Sequence, residues 1–140
     1  FFPSNMAILY ALSELHLNKL LKMVDANTAH VNFKNSMEFT MLIIDLLTIY
    51  LNEHKGSAIM FLSNDLPTKL EITLHSNTLF SSEMLNKINQ KISNVDNERV
   101  NNNFSIIFAL LSQGYQKEGT ISPRVVNETK KASLAYLSAY

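Results

Sequence analysis

The chain has 140 residues, no cysteine and a formal net charge of zero, with twelve basic and twelve acidic side chains. This length fits one domain, and the missing thiols exclude disulfides, thiolate zinc sites and cysteine nucleophiles. Hydrophobic residues make up 46% of the chain and charged residues 17%. That composition predicts a folded domain with little surface charge. Because nucleic-acid binders normally carry a basic face, the balanced charge and the presence of only two arginines argue against a nucleic-acid partner.

The sequence opens with Phe-Phe-Pro-Ser, and we interpret residues 1–140 as a single domain that is a fragment of a longer protein. No signal-peptide pattern precedes the first helical stretch. The most apolar window, 37–51, contains Glu38 and Asp45 and is shorter than the roughly 20 residues that cross a bilayer. We therefore predict no transmembrane segment and a cytoplasmic location.

The first helix is predicted to begin after Ser4, whose hydroxyl suits an N-cap, and to run to about Val24. Three polar residues at a spacing of four mark its solvent-facing stripe: Glu14, Asn18 and Lys22. The remaining circumference is a broad apolar arc that is expected to face the core. We assign to this arc Leu9, Leu12, Leu20, Met23 and Val24.

The second helix, at 37–52, is predicted to be the central one. Asn35 followed by Glu38 resembles a capping arrangement, and the stretch that follows is almost entirely apolar. Glu38, Asp45 and Asn52 recur every seven residues and so share one narrow strip. Apolar residues fill the rest of the circumference, which favours a helix wrapped by others. Gly56 is expected to end this helix.

The next segment changes period. Lys69 to His75 alternates polar and apolar residues, as a half-buried strand does. A short apolar run at 58–62 precedes it, separated by a Ser-Asn-Asp-Leu-Pro breaker. The pattern predicts a β-hairpin at about 58–75, although the first arm also fits a helical segment.

The helical period returns from Ser82, where Met84, Leu85, Ile88 and Ile92 share one side. Residues 94–103 contain five asparagines and are predicted to be an exposed loop. A further helix begins at Phe104 and is expected to stop at Gly114. Ser122 and Pro123 are typical of a helix start, and the last helix follows them. The fold class predicted is α+β, predominantly helical, with about five helices around 37–52 and one hairpin. An all-α bundle or a degenerate helical repeat is the alternative.

No residue pattern indicates a metal, a cofactor or a catalytic group, and we assign no residues to such sites. The four histidines do not pair at helical spacing, and the three glycines do not form a phosphate-binding loop. His16 on an apolar face could act as a base or a pH sensor, but a histidine bonded within the core is the favoured interpretation. Asp45 and Glu38 lie roughly 10 Å apart on one helix, too far to share a proton.

We therefore expect a non-catalytic regulatory or protein-interaction domain that acts through apolar helical surface. Its partner would be another protein, the rest of its own chain or a second copy. Tyr136 and Tyr140 on the last helix are either core residues or interface anchors. A small-molecule or lipid-binding module is the first alternative, with a pocket lined by Met41, Phe61 and Leu74 between the central helix and the hairpin. An enzyme with a dispersed site of Asp45, His16 or His75 is the second alternative.

Overall fold

Six helices form the fold in the computed structural model, which describes residues 5–62 and 67–139, with side chains omitted for 67–70. The predicted N-cap at Ser4 lies outside this range. The helices are α1 (Asn5–Thr28), α2 (Ser36–Glu53), α3 (Lys55–Leu62), α4 (Pro67–Lys91), α5 (Asn97–Glu118) and α6 (Pro123–Ser138). One buried cluster of apolar side chains draws on all six of them.

The predicted α+β class and its hairpin at 58–75 are wrong, and the all-α bundle is correct. Residues 58–62 belong to α3, and 67–75 form the beginning of the 25-residue α4. Ile72, Ser76 and Phe80 are buried at a spacing of four, so one helical stripe continues through the supposed strand. Leu74, which the strand would have buried, is 58% exposed. The polar residue at 76 on the buried stripe hid the helical period from the sequence pattern.

The second helix is largely buried, but it is not the centre of the bundle, since the short α3 packs against four other helices, α1, α2, α4 and α5. α2 contacts α1, α3 and α6, and most of its apolar residues are buried. Its N-terminus is capped as expected, since the Asn35 side chain accepts a hydrogen bond from the backbone N–H of Glu38 at 2.9 Å. The predicted end at Gly56 is wrong, because α2 ends at Glu53 and Gly56 lies within α3.

Asn52, at the end of the polar strip of α2, connects this helix to the link between α5 and α6. Its amide group donates to the carbonyl oxygen of Ile121, and its side-chain oxygen accepts from the Ile121 backbone N–H, both at 2.9 Å. The same oxygen accepts from the hydroxyl of Thr120 at 2.9 Å. Since Ile121 is buried, the contact satisfies backbone groups that water does not reach.

The α5 and α6 helices pack closely on each other. The start of α6 is as predicted, with the Ser122 hydroxyl accepting from the backbone N–H of Val125. The loop predicted at 94–103 is wrong from Asn97 onward, since α5 begins there. Asn103 is buried and donates to the Ser133 hydroxyl at 2.9 Å. The predicted end at Gly114 is also wrong. α5 continues to Glu118 and is capped by Gly119, whose φ of 71° is left-handed.

Candidate functional site

Helix α1 has two apolar faces. The inner face buries Leu17, Leu20 and Val24 in the core. The outer face carries three large apolar side chains in solvent, Ile8 at 44%, Leu12 at 38% and Leu15 at 48% exposure. These three residues are spaced by four and three and so form one stripe along the helix. At 3.6 residues per turn, the stripe lies about 150° around the axis from the inner face. The core formed by the described helices therefore does not cover it.

The outer face becomes basic beyond Leu15. Lys19 and Lys22 continue the same line toward the C-terminal half of α1 and are exposed. Neither lysine forms an ion pair with a carboxylate in the described part of the chain. We call Ile8, Leu12, Leu15, Lys19 and Lys22 the α1 outer face. It offers apolar contact followed by positive charge along about four turns of helix.

The sequence analysis missed this surface. It assigned Leu12 to the arc that faces the core, and it did not single out Ile8 or Leu15. The number of apolar residues around α1 could have revealed it, because leucines on opposite sides of one helix cannot all face the same core.

His16 lies beside the core, next to Tyr50 and His54. Its Nδ1 is hydrogen-bonded to the Tyr50 hydroxyl at 2.8 Å, and the Tyr50 ring stacks on His54 with centroids 4.2 Å apart. The His54 ring donates to the Tyr50 carbonyl oxygen at 3.0 Å. Burial lowers the pKa of His16 below its ordinary value of 6.5, with smaller effects from His54 and Lys19. Burial also raises the pKa of Tyr50. This cluster favours a neutral His16.

The other candidate residues are not brought together. The Asp45 side chain is 46% exposed and pairs with the Lys130 ammonium at 2.7 Å. Glu38 is exposed at the start of α2. His75 packs edge-on against Tyr10, with centroids 5.3 Å apart, on the α1 and α4 side of the molecule. His16, Asp45 and His75 thus each have different neighbours.

The pocket predicted between the central helix and a hairpin is not formed, because residues 58–62 and 67–75 are helical. Phe61 is fully buried, and Met41 packs against the core. Leu74 instead lines a groove of about 560 Å³ between α4 and α5, whose other lining residues include Asn77, Ser105 and Gln113. A second groove of about 400 Å³ lies between α1 and α4.

The described residues of the last helix include a buried face of four side chains. Val125, Thr129, Ser133 and Leu137 are buried, and Tyr136 is half-buried. Tyr140 lies outside the described residues. The small residues at the middle of this face let α5 approach, as the contact between Asn103 and Ser133 indicates.

Within the described residues, no three histidine, aspartate or glutamate side chains are placed to hold a metal ion. None of the helices there is long and apolar enough to cross a membrane. The chain matches no family model, and neither a curated protein nor a solved structure matches it.

Proposed function

We propose that this chain is a protein-interaction domain whose α1 outer face binds an amphipathic helix of a partner protein. The observation that carries the proposal is the exposed stripe of Ile8, Leu12 and Leu15, which lies opposite the face that α1 buries. Three large apolar side chains in a row at helical spacing form ridges and grooves of the kind into which another helix packs. Scattered apolar residues elsewhere on the surface are ordinary and need no such explanation.

The charges of the outer face indicate the chemistry of the partner. Lys19 and Lys22 extend the stripe and have no carboxylate partner in the described part of the chain. A partner helix with an apolar seam followed by acidic residues would complement this face. Its apolar side chains would pack against the exposed stripe, and its carboxylates would pair with the two lysines. Such rim charges contribute mainly to orientation and to the association rate.

A second copy of the chain fits this face less well. In an antiparallel pairing centred on Leu12, Lys19 of each copy would lie at the first turn of the other α1, where the helix dipole is positive. In a parallel pairing, the lysines of the two copies would face each other. In both arrangements the lysines are repelled, by the helix dipole in the first and by each other in the second. A partner with acidic residues would attract them instead.

The experiment uses a synthetic peptide of three heptads with leucine at the seam positions and two glutamates at one end of the seam. Binding is measured by fluorescence anisotropy with a labelled peptide. The double variant L12E/L15E should weaken binding at least tenfold, because it places charge in the apolar contact. The matched control is L134E, since Leu134 on α6 has a similar exposure of 40%. It should bind the peptide as the wild type does.

The charge pattern is tested by exchanging signs. K19E/K22E should weaken binding of the glutamate peptide and strengthen binding of a peptide with lysines in the same places. Equal binding by the wild type and L12E/L15E would refute the proposal, as would an equal loss in L134E. Sedimentation velocity of the protein alone tests for a dimer. A dimer that is lost in L12E/L15E would show that the partner of this face is a second copy of the chain and would refute the acidic helix.

A further inference from the structure

His16 lies at the edge of the α1 outer face. At 3.6 residues per turn, its position around the helix axis is about 40° from Leu12 and about 60° from Lys19. Side chains three or four positions apart on a helix are neighbours, so His16 borders both the apolar and the basic part of this face. The next residue, Leu17, already belongs to the core. His16 is half-buried and therefore lies between the covered and the exposed side of α1.

The α1 outer face has the spacing of a coiled-coil seam. Its five residues are separated by four, three, four and three positions, as the d and a positions of a heptad repeat are. In this register His16 occupies an e position, directly after Leu15. Side chains at e and g positions flank a seam and set the choice and orientation of a partner helix. The other flanking residues between positions 8 and 22 do not ionise, and they are Leu9, Ala11 and Asn18.

The contact of His16 on the core side suits both of its charge states. Its Nδ1 is hydrogen-bonded to the Tyr50 hydroxyl at 2.8 Å. A tyrosine hydroxyl can donate to a neutral imidazole nitrogen or accept from a protonated one. Protonation therefore changes the charge at the edge of the outer face without breaking the bond that holds His16.

The charged surroundings of His16 leave room for a carboxylate from a partner. Its titratable neighbours are Lys19 on α1 and, at the end of α2, Tyr50 and His54, whose ring centroid lies 6.1 Å from that of His16. No carboxylate forms an ion pair with His16 in the described part of the chain. The charged residues on either side of His54 in sequence are exposed and do not bond to His16; they are Glu53 and Lys55.

Burial of His16, with smaller effects from His54 and Lys19, lowers its pKa, so in the free protein this residue is mainly neutral at pH 7 and above. A carboxylate brought to the edge of the face by a partner acts in the opposite direction and favours the protonated imidazole.

We infer that His16 is a specificity residue of the α1 outer face, which attracts a carboxylate at the flank of the partner's seam as the pH falls. The inference rests on the function proposed above, because it concerns the same face and the same partner helix. Between pH 8 and pH 6, His16 becomes increasingly protonated, whereas glutamates of the partner, with an ordinary pKa of about 4.3, stay ionised. The preference for an acidic partner should therefore increase with acidity.

The experiment compares two labelled peptides that share the leucine seam and the terminal glutamates of the peptide used for the α1 outer face. The two flanking positions of the middle heptad are glutamate in one peptide and glutamine in the other, so the comparison serves both orientations of the peptide. Any effect of covering His16 is common to the two peptides and cancels in the ratio of their affinities.

Binding is measured by fluorescence anisotropy at pH 8, 7 and 6. An exposed ion pair changes an affinity by up to about fivefold, and only the protonated fraction of His16 gains it. The affinity ratio of the glutamate to the glutamine peptide should therefore rise about two- to threefold from pH 8 to pH 6. The rise should shrink as salt is added. The His16 resonances in NMR should show a higher pKa with the glutamate peptide than with the glutamine peptide.

Three variants assign the pH dependence to one residue. His16→Gln keeps a side chain that can bond to Tyr50, and its affinity ratio should stay constant from pH 8 to pH 6. His54→Gln and His75→Gln should both keep the rise. His75 is the matched control for loss of a histidine, because it packs against Tyr10, on the side of α1 away from the outer face.

A ratio that stays constant in the wild type would overturn the inference, as would an equal rise in His16→Gln. Neither result would touch the proposed function if both peptides bind at pH 8, where His16 is neutral and the leucine contact is measured alone. Failure of both peptides to bind at pH 8 would refute the proposed function and this inference with it.

Discussion

Gly114 offers a sharp test of how closely α5 and α6 pack. A Cβ atom added there would lie 2.6 Å from both Cγ atoms of Val125. Alanine at an ordinary helical position is about 1 kcal/mol better than glycine. Overpacking of a core contact costs about 1–3 kcal/mol. Because valine is stiff at χ1 and both of its methyl groups are in the way, the two helices must move apart, and we take the upper end of that range. Gly114→Ala should therefore lower the free energy of unfolding by about 2 kcal/mol.

The assay is urea unfolding followed by circular dichroism on the wild type, G114A, V125A and the double variant. V125A alone loses two methyl groups, about 1.6 kcal/mol at 0.8 kcal/mol per buried carbon. In that background the methyl group added at position 114 fills vacated space, so the double variant should be no less stable than V125A. The coupling between the two sites should then be at least about 2 kcal/mol. A G114A variant at least as stable as the wild type, or equal losses in both backgrounds, would refute this reasoning.

Three further outcomes are expected. Asn52→Ala should lower the free energy of unfolding, measured with urea, by about 2–3 kcal/mol, because it leaves the buried backbone groups of Ile121 unpaired. A decrease under about 0.5 kcal/mol would contradict the contact. Because the pKa of His16 is lowered in the folded state, the unfolded chain binds a proton first as pH falls. Stability should therefore decline below about pH 6.5, and this part of the decline should be absent in His16→Gln. Asp45→Asn should cost less than about 1 kcal/mol, with the difference shrinking at high salt, since its ion pair with Lys130 is partly exposed.

The sequence predicted two helix N-termini correctly, because one or two neighbouring residues determine where a helix begins. Asn35 caps α2 and Ser122 caps α6 as expected, because a cap depends only on its immediate neighbours. The first part of α4 was taken for a strand because Thr73 and Ser76 are polar residues on the buried face of the helix. Within the short window of 69–75, the polarity of Thr73 completes the alternation of a strand, and Ser76 interrupts the apolar stripe just beyond it.

Contacts between distant residues were outside the reach of the sequence pattern. The bonds from Asn52 to Ile121 span 69 positions, and nothing local to either residue indicates them. The α1 outer face depends in the same way on which side of α1 the other helices occupy. Apolar residues around the helix show that some must be exposed, whereas only the packing decides that Leu17 is buried and Leu15 is not.

The bonds that Asn52 makes also bear on how fast the domain folds and unfolds. α5 and α6 are joined by a short link, so their mutual contacts are local and can form early. The bonds from α2 to that link require docking of a distant segment, and we expect them to form after the main barrier. Loss of such a late contact mainly speeds unfolding and leaves the folding rate almost unchanged. One amide side chain at the end of α2 would thus lengthen the lifetime of the native state without helping the chain to reach it.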